Sequence, residues 1–111
     1  MIEKFKVIFL DNAKSFLDGL DDKAREKILY NIRKSHIVND PELFKKLSGE
    51  IWEFRTFYNK TYFRLFAFWD NTNKENTVVI CTNGLIKKTG KTPVSEINKA
   101  DTLRKQYLSH K

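Results

Sequence analysis

The chain has 111 residues, of which 41% are hydrophobic and 32% charged, and its formal net charge is +7. This length and hydrophobic content predict a single domain over residues 1–111, with a core that needs neither disulfides nor metals. The lone cysteine, Cys81, excludes a disulfide framework within the chain, no residue spacing suggests a zinc site, and no apolar run approaches the ~20 residues of a membrane span.

An early strand and a helical hairpin are predicted at the start of the chain. Lys4–Leu10 has the period-two alternation of a strand. Asp11 or Asn12 can cap a short helix, and Asp21 or Asp22 can cap a longer one. Each helix has one apolar stripe, so the pair is predicted to be an αα-hairpin that packs one face on a sheet.

The rest of the chain predicts a three-stranded meander and a final helix. Asn39–Pro41 begins a short turn or helix that ends at Ser48-Gly49. Three strands are predicted, at Ile51–Tyr58, Thr61–Trp69 and Thr77–Thr82. Asn59-Lys60 is a two-residue turn between the first two, and Pro93 lies near the first turn of a helix that runs to the C-terminus. The order β-α-α-β-β-β-α predicts an α+β fold.

The segment Asn83–Pro93, NGLIKKTGKTP, concentrates positive charge between the third strand and the last helix. Its lysines, Lys87, Lys88 and Lys91, are expected beside a helix N-terminus, and both features attract phosphate. From residue 84 to residue 111, seven Lys or Arg residues stand against two acidic residues, which favours a nucleic-acid or acidic-protein partner. Aromatic residues make up 14% of the chain, so some could stack on bases. A solvated basic loop is the alternative interpretation.

The period-two pattern of the first two meander strands predicts which side chains share a face. The more apolar face of each strand is expected under the helical hairpin. That leaves Glu53, Arg55 and Arg64 together on the opposite face, with Lys87 and Lys88 emerging at the end of the next strand. The planar guanidinium fork suits phosphate oxygens, so this group predicts a phosphate cradle. Alternatively, the two arginines only pair with Glu53 and cover the sheet.

Several motifs in this order carry a family resemblance. They are Phe44-Lys45-Lys46-Leu47-Ser48-Gly49, Ile51-Trp52-Glu53-Phe54-Arg55, Tyr62-Phe63-Arg64-Leu65, Gly84–Thr89 with Lys91-Thr92-Pro93, Glu96-Ile97 and Ala100. With the early strand and helical hairpin, this arrangement resembles the RelE/ParE superfamily of bacterial toxins, in its phage-derived HigB-like branch. The resemblance implies a RelE-like α+β fold: an N-terminal strand, a helical hairpin, an antiparallel three-stranded meander and a C-terminal helix packed on a small sheet.

The resemblance also implies an activity and partners. Related toxins cut mRNA in the ribosomal A site, where the 2′-hydroxyl attacks the adjacent phosphate and the downstream 5′-oxygen leaves. This chemistry needs no metal or cofactor. The expected partners are the ribosome, mRNA and a HigA-like helix-turn-helix antitoxin, the last in a toxin–antitoxin hetero-oligomer. Two other functions stay open: a non-catalytic, ParE-like inhibitor of DNA gyrase, and a basic nucleic-acid-binding module.

Roles for individual residues follow from the resemblance. Arg64 matches the family's strand arginine and is expected, with Arg55, to hold the charge of the transition state. Lys87 and Lys88 match the family's lysine pair. One is expected to hold the scissile phosphate, and crowding by cations could let a lysine exchange protons. Glu53 is either the base or a carboxylate that holds the arginines.

Five further residues are predicted to bind RNA: Thr89, Lys91, Lys99, Arg104 and Tyr107. Tyr107 could instead pack on the sheet, which its helical spacing favours. His36, expected at the end of the second helix, and His110, near the C-terminus, are the two histidines. The chain thus departs from toxin branches that use a catalytic histidine, which leaves the proton-transfer residue open. The first residues lack the long apolar segment of a signal peptide, so a cytoplasmic protein is expected.

Overall fold

A computed structural model of the protein describes residues 5–72, 78–87 and 92–110. Within these residues it has five strands: β1 (Lys6–Phe9), β2 (Phe44–Ser48), β3 (Ile51–Tyr58), β4 (Thr61–Asp70) and β5 (Val78–Lys87). The same residues form three helices: α1 (Asp11–Asp18), α2 (Asp22–Ser35) and α3 (Val94–Ser109). None of the described helices is both long and apolar enough to cross a membrane.

The strands form one mixed sheet in the order β1-β5-β4-β3-β2. β1 runs parallel to β5, and the other three pairings are antiparallel. The segment that contains α1 and α2 therefore carries the chain from β1 at one edge of the sheet to β2 at the other, and the meander returns to β5 beside β1. This arrangement confirms the predicted α+β class, the early helical pair, the meander and the C-terminal helix, and it adds one strand.

The added strand is β2: the turn predicted from Asn39–Pro41 is present over residues 41–43, but its extension to Ser48-Gly49 is wrong. Phe44–Ser48 is an antiparallel strand paired with β3. Phe44 and Leu47 have helix-like spacing, but pairing and packing against β3 decide the structure. The Phe44 ring stacks on Phe54 with a centroid distance of 4.1 Å. Because β2 lies at the sheet edge, its lysines oppose pairing with another chain.

β5 corrects a second prediction, because it extends through Lys87, whereas the sequence predicts a turn from Asn83 onward. One extra residue just before Gly84 forms a bulge opposite β4, so the strand continues with its alternation shifted. Gly84 is required at this point, because a Cβ atom there would lie 2.2 Å from the Phe16 ring of α1. The extension places Lys87 on the sheet itself.

The residues at the helix N-termini explain where two of the three described helices begin. Asp21 caps α2 by accepting a hydrogen bond from the backbone N–H three residues ahead (2.9 Å). Pro93 precedes α3 with φ at −61°, as a helix start favours. The predicted capping of α1 by Asp11 or Asn12 is wrong, because Leu10 is the N-cap residue and Asp11 already lies in the first turn. There its charge still favours the helix dipole.

Apolar side chains fill both faces of the sheet. α1 and α2 pack on one face through a cluster that includes Leu17, Ile28 and Phe54. α3 packs on the other face through a cluster that includes Phe66 and Ala100. The prediction that the more apolar face of β3 and β4 lies under the helical hairpin is confirmed. Residues that point the other way, toward the side of α3, form the candidate site.

Cys81 is fully buried in the cluster under α1 and α2, as its position in an apolar run predicts. Burial raises the pKa of its thiol well above the usual range, because the thiolate would lose its hydration. The cysteine is therefore a packing residue.

Candidate functional site

The β3–β4 hairpin sets the geometry of the site. Its turn, Asn59-Lys60, has positive φ at both positions (51° and 60°), as a type I′ turn requires. The resulting register pairs Arg55 with Arg64 across the two strands. One strand further, Lys87 pairs with Tyr62. The structure therefore brings Arg55, Arg64 and Lys87 to one face, as the strand pattern predicts, and we call these three residues the basic cluster.

Glu53 lies at the base of the basic cluster and is 2% exposed. Its Oε1 is 3.3 Å from Arg64 Nε, and its Oε2 is 3.6 Å from Arg55 Nε. One carboxylate thus holds both guanidinium groups by their Nε side. Arg64 Nη1 also donates to the carbonyl of Phe63 (3.3 Å), and Arg55 Nη1 lies 3.9 Å from a carboxylate oxygen of Glu42.

Within residues 5–72, 78–87 and 92–110, the contacts of both arginines leave donors for a further ligand. A guanidinium has five N–H donors in a fixed fork. The contacts between described residues occupy only part of these donors on Arg55 and Arg64. Glu53 lies on the Nε side of both guanidinium groups, which leaves their terminal nitrogens as the candidate donors to a phosphate.

The electrostatics of the basic cluster favour an anion. Burial lowers the pKa of Arg64 below its ordinary value, Glu53 opposes this change, and Arg55 adds to it. Burial also lowers the pKa of Lys87, and the nearby charge of Arg64 lowers it further. Three cations against one buried carboxylate leave excess positive charge in a partly dehydrated place. A bound phosphate would offset this repulsion.

Aromatic residues flank the cluster, and sequence reasoning missed them. The Arg64 guanidinium lies 5.3 Å from the centre of the Tyr62 ring, a cation–π distance. Phe57 and Tyr62 are register partners with ring centroids 4.7 Å apart. A cavity of about 60 Å³ opens here, lined by Glu42, Arg55, Thr56, Phe57, Tyr62 and Arg64. The sequence does carry a signal for them, because period-two alternation places Phe57 and Tyr62 on the strand face that holds Arg55 and Arg64.

The basic segment after β5 is described only at its ends. Lys87 Nζ donates to Thr92 Oγ1 (3.3 Å), which links the end of β5 to the start of α3. Lys88, Thr89 and Lys91 lie outside the described residues, so their predicted roles stay predictions.

Residues predicted on the last helix lie along α3. Lys99 is exposed. Arg104 Nε pairs with Asp101 (2.9 Å), and this hydrogen bond is the main reason that the pKa of Asp101 is lowered. The ion pair stays within one helix and points to no ligand, so the predicted RNA binding by Lys99 and Arg104 stays a prediction.

Tyr107 lies at the other end of the sheet from the basic cluster. Its hydroxyl donates to Asp70 Oδ2 (2.9 Å), and its ring packs edge-on against Phe68 with centroids 5.5 Å apart. Asp70 is six residues beyond Arg64 on β4, roughly 20 Å at the rise of a strand. These contacts agree with the packing alternative, and the predicted RNA contact of Tyr107 stays a prediction.

Both histidines lie outside the cluster. His36 is at the C-terminal end of α2, as predicted, where its ring meets Phe5 at a centroid distance of 4.4 Å. His110 follows α3, with Nδ1 2.7 Å from the carbonyl of Gln106. Among the described residues, no three His, Cys, Asp or Glu side chains are grouped as metal ligands would be.

One family model matches the chain. It describes the phage-derived Gp49-like proteins (DUF891) and covers residues 15–105, from α1 to most of α3. The matched region contains Glu53 and the whole basic cluster. No curated protein matches the chain. The family is toxin-like and phage-derived, which agrees with the resemblance at this broader level. The protein therefore belongs to the phage-derived Gp49-like family.

Proposed function

We propose that this protein is the toxin of a type II toxin–antitoxin pair and an endoribonuclease that cuts mRNA in the ribosomal A site. The observation that carries the proposal is the cross-strand pair Arg55–Arg64, held by buried Glu53 with Lys87 beside it. Membership of a toxin-like family adds support. A RelE-like arrangement and a place in the HigB-like branch belong to the same proposal.

The reaction we propose is attack by an RNA 2′-hydroxyl on the adjacent phosphorus. The 2′-oxygen–phosphorus bond forms as the 2′-hydroxyl gives its proton to solvent water. The bond to the downstream 5′-oxygen breaks as that oxygen takes up a proton, and the products are a 2′,3′-cyclic phosphate and a 5′-hydroxyl. Negative charge grows on the phosphoryl oxygens in the transition state. The forks of Arg64 and Arg55 supply preorganised donors for that charge, an effect that reaches about 10²–10³ in rate for one donor in other enzymes.

Lys87 is the proposed proton donor to the leaving 5′-oxygen. Burial and Arg64 lower the pKa of Lys87, which makes its ammonium a better acid than an ordinary lysine. Arginine fits this role poorly, because its proton stays bound above about pH 12 in proteins. Glu53 faces two guanidinium groups, so we assign it to holding them rather than to the base role.

The partner that we propose is a HigA-like helix-turn-helix antitoxin that forms a hetero-oligomer with this chain in the cytoplasm. A toxin-like family suggests an antitoxin in general. The acidic groups of such a partner would complement the chain's net charge of +7.

Induced expression in growing bacteria, followed by primer extension on translated messages, tests the proposal. The wild type should stop growth and produce cuts within codons. Arg64→Lys keeps a cation facing Glu53 but loses the planar fork, so it should lose the cuts while the protein stays folded in a thermal melt. Arg33→Lys is the matched control, because Arg33 is exposed on α2 across the sheet. Growth arrest with inhibited supercoiling and uncut mRNA would contradict the nuclease and favour gyrase inhibition.

A further inference from the structure

Two aromatic side chains at the tip of the β3–β4 hairpin are exposed beside the basic cluster. Phe57 is 56% exposed and Tyr62 is 37% exposed. Their rings are 4.7 Å apart and tilted by 46°, so they form a continuous apolar surface. Neither ring belongs to the two core clusters on the sheet faces. Packing therefore does not account for two large rings at this position.

Their place relative to the basic cluster points to the ligand. Phe57 is two residues after Arg55, and Tyr62 is two residues before Arg64, so each ring lies about 7 Å from an arginine on the same face. Lys87 is the register partner of Tyr62 on the next strand. Cations and exposed rings thus alternate within one small area.

The hairpin holds both rings in place before any ligand arrives. The tight turn at Asn59-Lys60 links the two strands, and the Thr61 hydroxyl donates to the Asn59 carbonyl (3.1 Å). The Arg64 guanidinium, itself fixed by Glu53, lies over the Tyr62 ring. A preformed surface loses little conformational freedom on binding.

We propose that Phe57 and Tyr62 are a stacking platform for a base of single-stranded RNA, next to the phosphate that the basic cluster holds. Single-stranded nucleic acids are bound by this combination of backbone cations and aromatic faces. A duplex is a poor occupant, because its bases already stack on each other and present only their edges. The inference rests on the proposed function and specifies where the RNA strand lies on the protein surface.

The contribution of each ring is measurable as a change in affinity. Base–aromatic stacking in comparable proteins corresponds to roughly 5- to 150-fold in affinity for each base. Phe57→Ala should therefore weaken RNA binding at least about fivefold, without a change in its salt dependence, since no charge is lost. Phe57→Trp and Tyr62→Phe keep an aromatic face and should bind like the wild type.

Fluorescence anisotropy with an oligoadenylate of about 12 nucleotides, 2′-O-methylated against cleavage, tests the platform. The second probe is an abasic ribose-phosphate strand of equal length, which keeps the charges and lacks the bases. The wild type should bind oligoadenylate more tightly than the abasic strand, and Phe57→Ala should remove most of that difference. Tyr30→Ala is the matched control, because Tyr30 is 54% exposed on α2.

The outcomes separate the platform from the proposed function. If Phe57→Ala and Tyr62→Ala bind both probes as Tyr30→Ala does, while Lys87→Ala weakens binding, the platform is wrong and the cluster stands. If the wild type binds neither probe, the platform is wrong, whereas the proposed cleavage on the ribosome stands or falls by the primer extension. If Phe57→Ala weakens binding to the oligoadenylate and to the abasic strand equally, the substitution acts on charge or folding, and this result would also contradict stacking.

Discussion

Glu53 gives the sharpest test of how the site is held together. Glu53→Gln keeps the size of the side chain and removes the charge that faces Arg55 and Arg64. Glu53 is 2% exposed and Arg64 is 5% exposed, so the change leaves a buried guanidinium without its counter-charge. Breaking a buried ion pair from one side costs about 3–5 kcal/mol.

The lower end of that range applies here. Glu53 lies 3.3 Å from Arg64 Nε and 3.6 Å from Arg55 Nε, but neither contact has hydrogen-bond geometry, and Arg55 is partly exposed. We expect Glu53→Gln to lower the free energy of unfolding by about 3 kcal/mol. For a domain of this length, that loss corresponds to a fall in Tm of about 13 °C.

Urea unfolding followed by circular dichroism measures the change. The double variant Glu53→Gln/Arg64→Met removes both charges and should recover at least half of the loss, because it leaves no buried cation facing a neutral amide. A loss below about 1 kcal/mol for Glu53→Gln, or no recovery in the double variant, would refute the idea that Glu53 stabilises the arginines. Arg33→Met is the control for replacing an exposed arginine.

Two further predictions concern β5. Gly84→Ala forces a methyl group against the Phe16 ring, so it should lower the free energy of unfolding by about 1–3 kcal/mol. Adding Phe16→Leu to that variant should recover part of the loss, as measured in a thermal melt. RNA affinity should fall as pH rises through the lowered pKa of Lys87, at a pH below that of an ordinary lysine, because deprotonation removes its charge. Lys87→Arg should bind unchanged across that range in anisotropy titrations; an identical alkaline loss would refute the assignment to Lys87.

The face of the meander that carries the site could be predicted because its signals are local. The alternation in β3 and β4 has a period of two, and a two-residue turn at Asn59-Lys60 fixes their register. Together these place Glu53, Arg55 and Arg64 on one face. The helical hairpin was likewise visible from its amphipathic spacing and from the Asp21 cap.

What was missed depends on contacts between distant parts of the chain. Phe44–Ser48 becomes a strand because β3 offers a partner and the Phe54 ring a packing surface. β5 passes Asn83 as a strand because a bulge and the close approach of Phe16 to Gly84 accommodate it. Neither the strand at β2 nor the extension of β5 can be predicted from periodicity, because periodicity depends only on the local pattern of apolar residues.

The chemistry of the cut ends tests the central claim most directly. Purified protein, ribosomes and a translated mRNA are incubated together, and the new RNA ends are identified. We expect 5′-hydroxyl and 2′,3′-cyclic phosphate ends from the wild type and from Arg33→Lys. Arg64→Lys should cut at least about 10²-fold more slowly. Uncut mRNA with the wild type, or equal cutting by Arg64→Lys, would contradict an RNA-cleaving site built on the basic cluster.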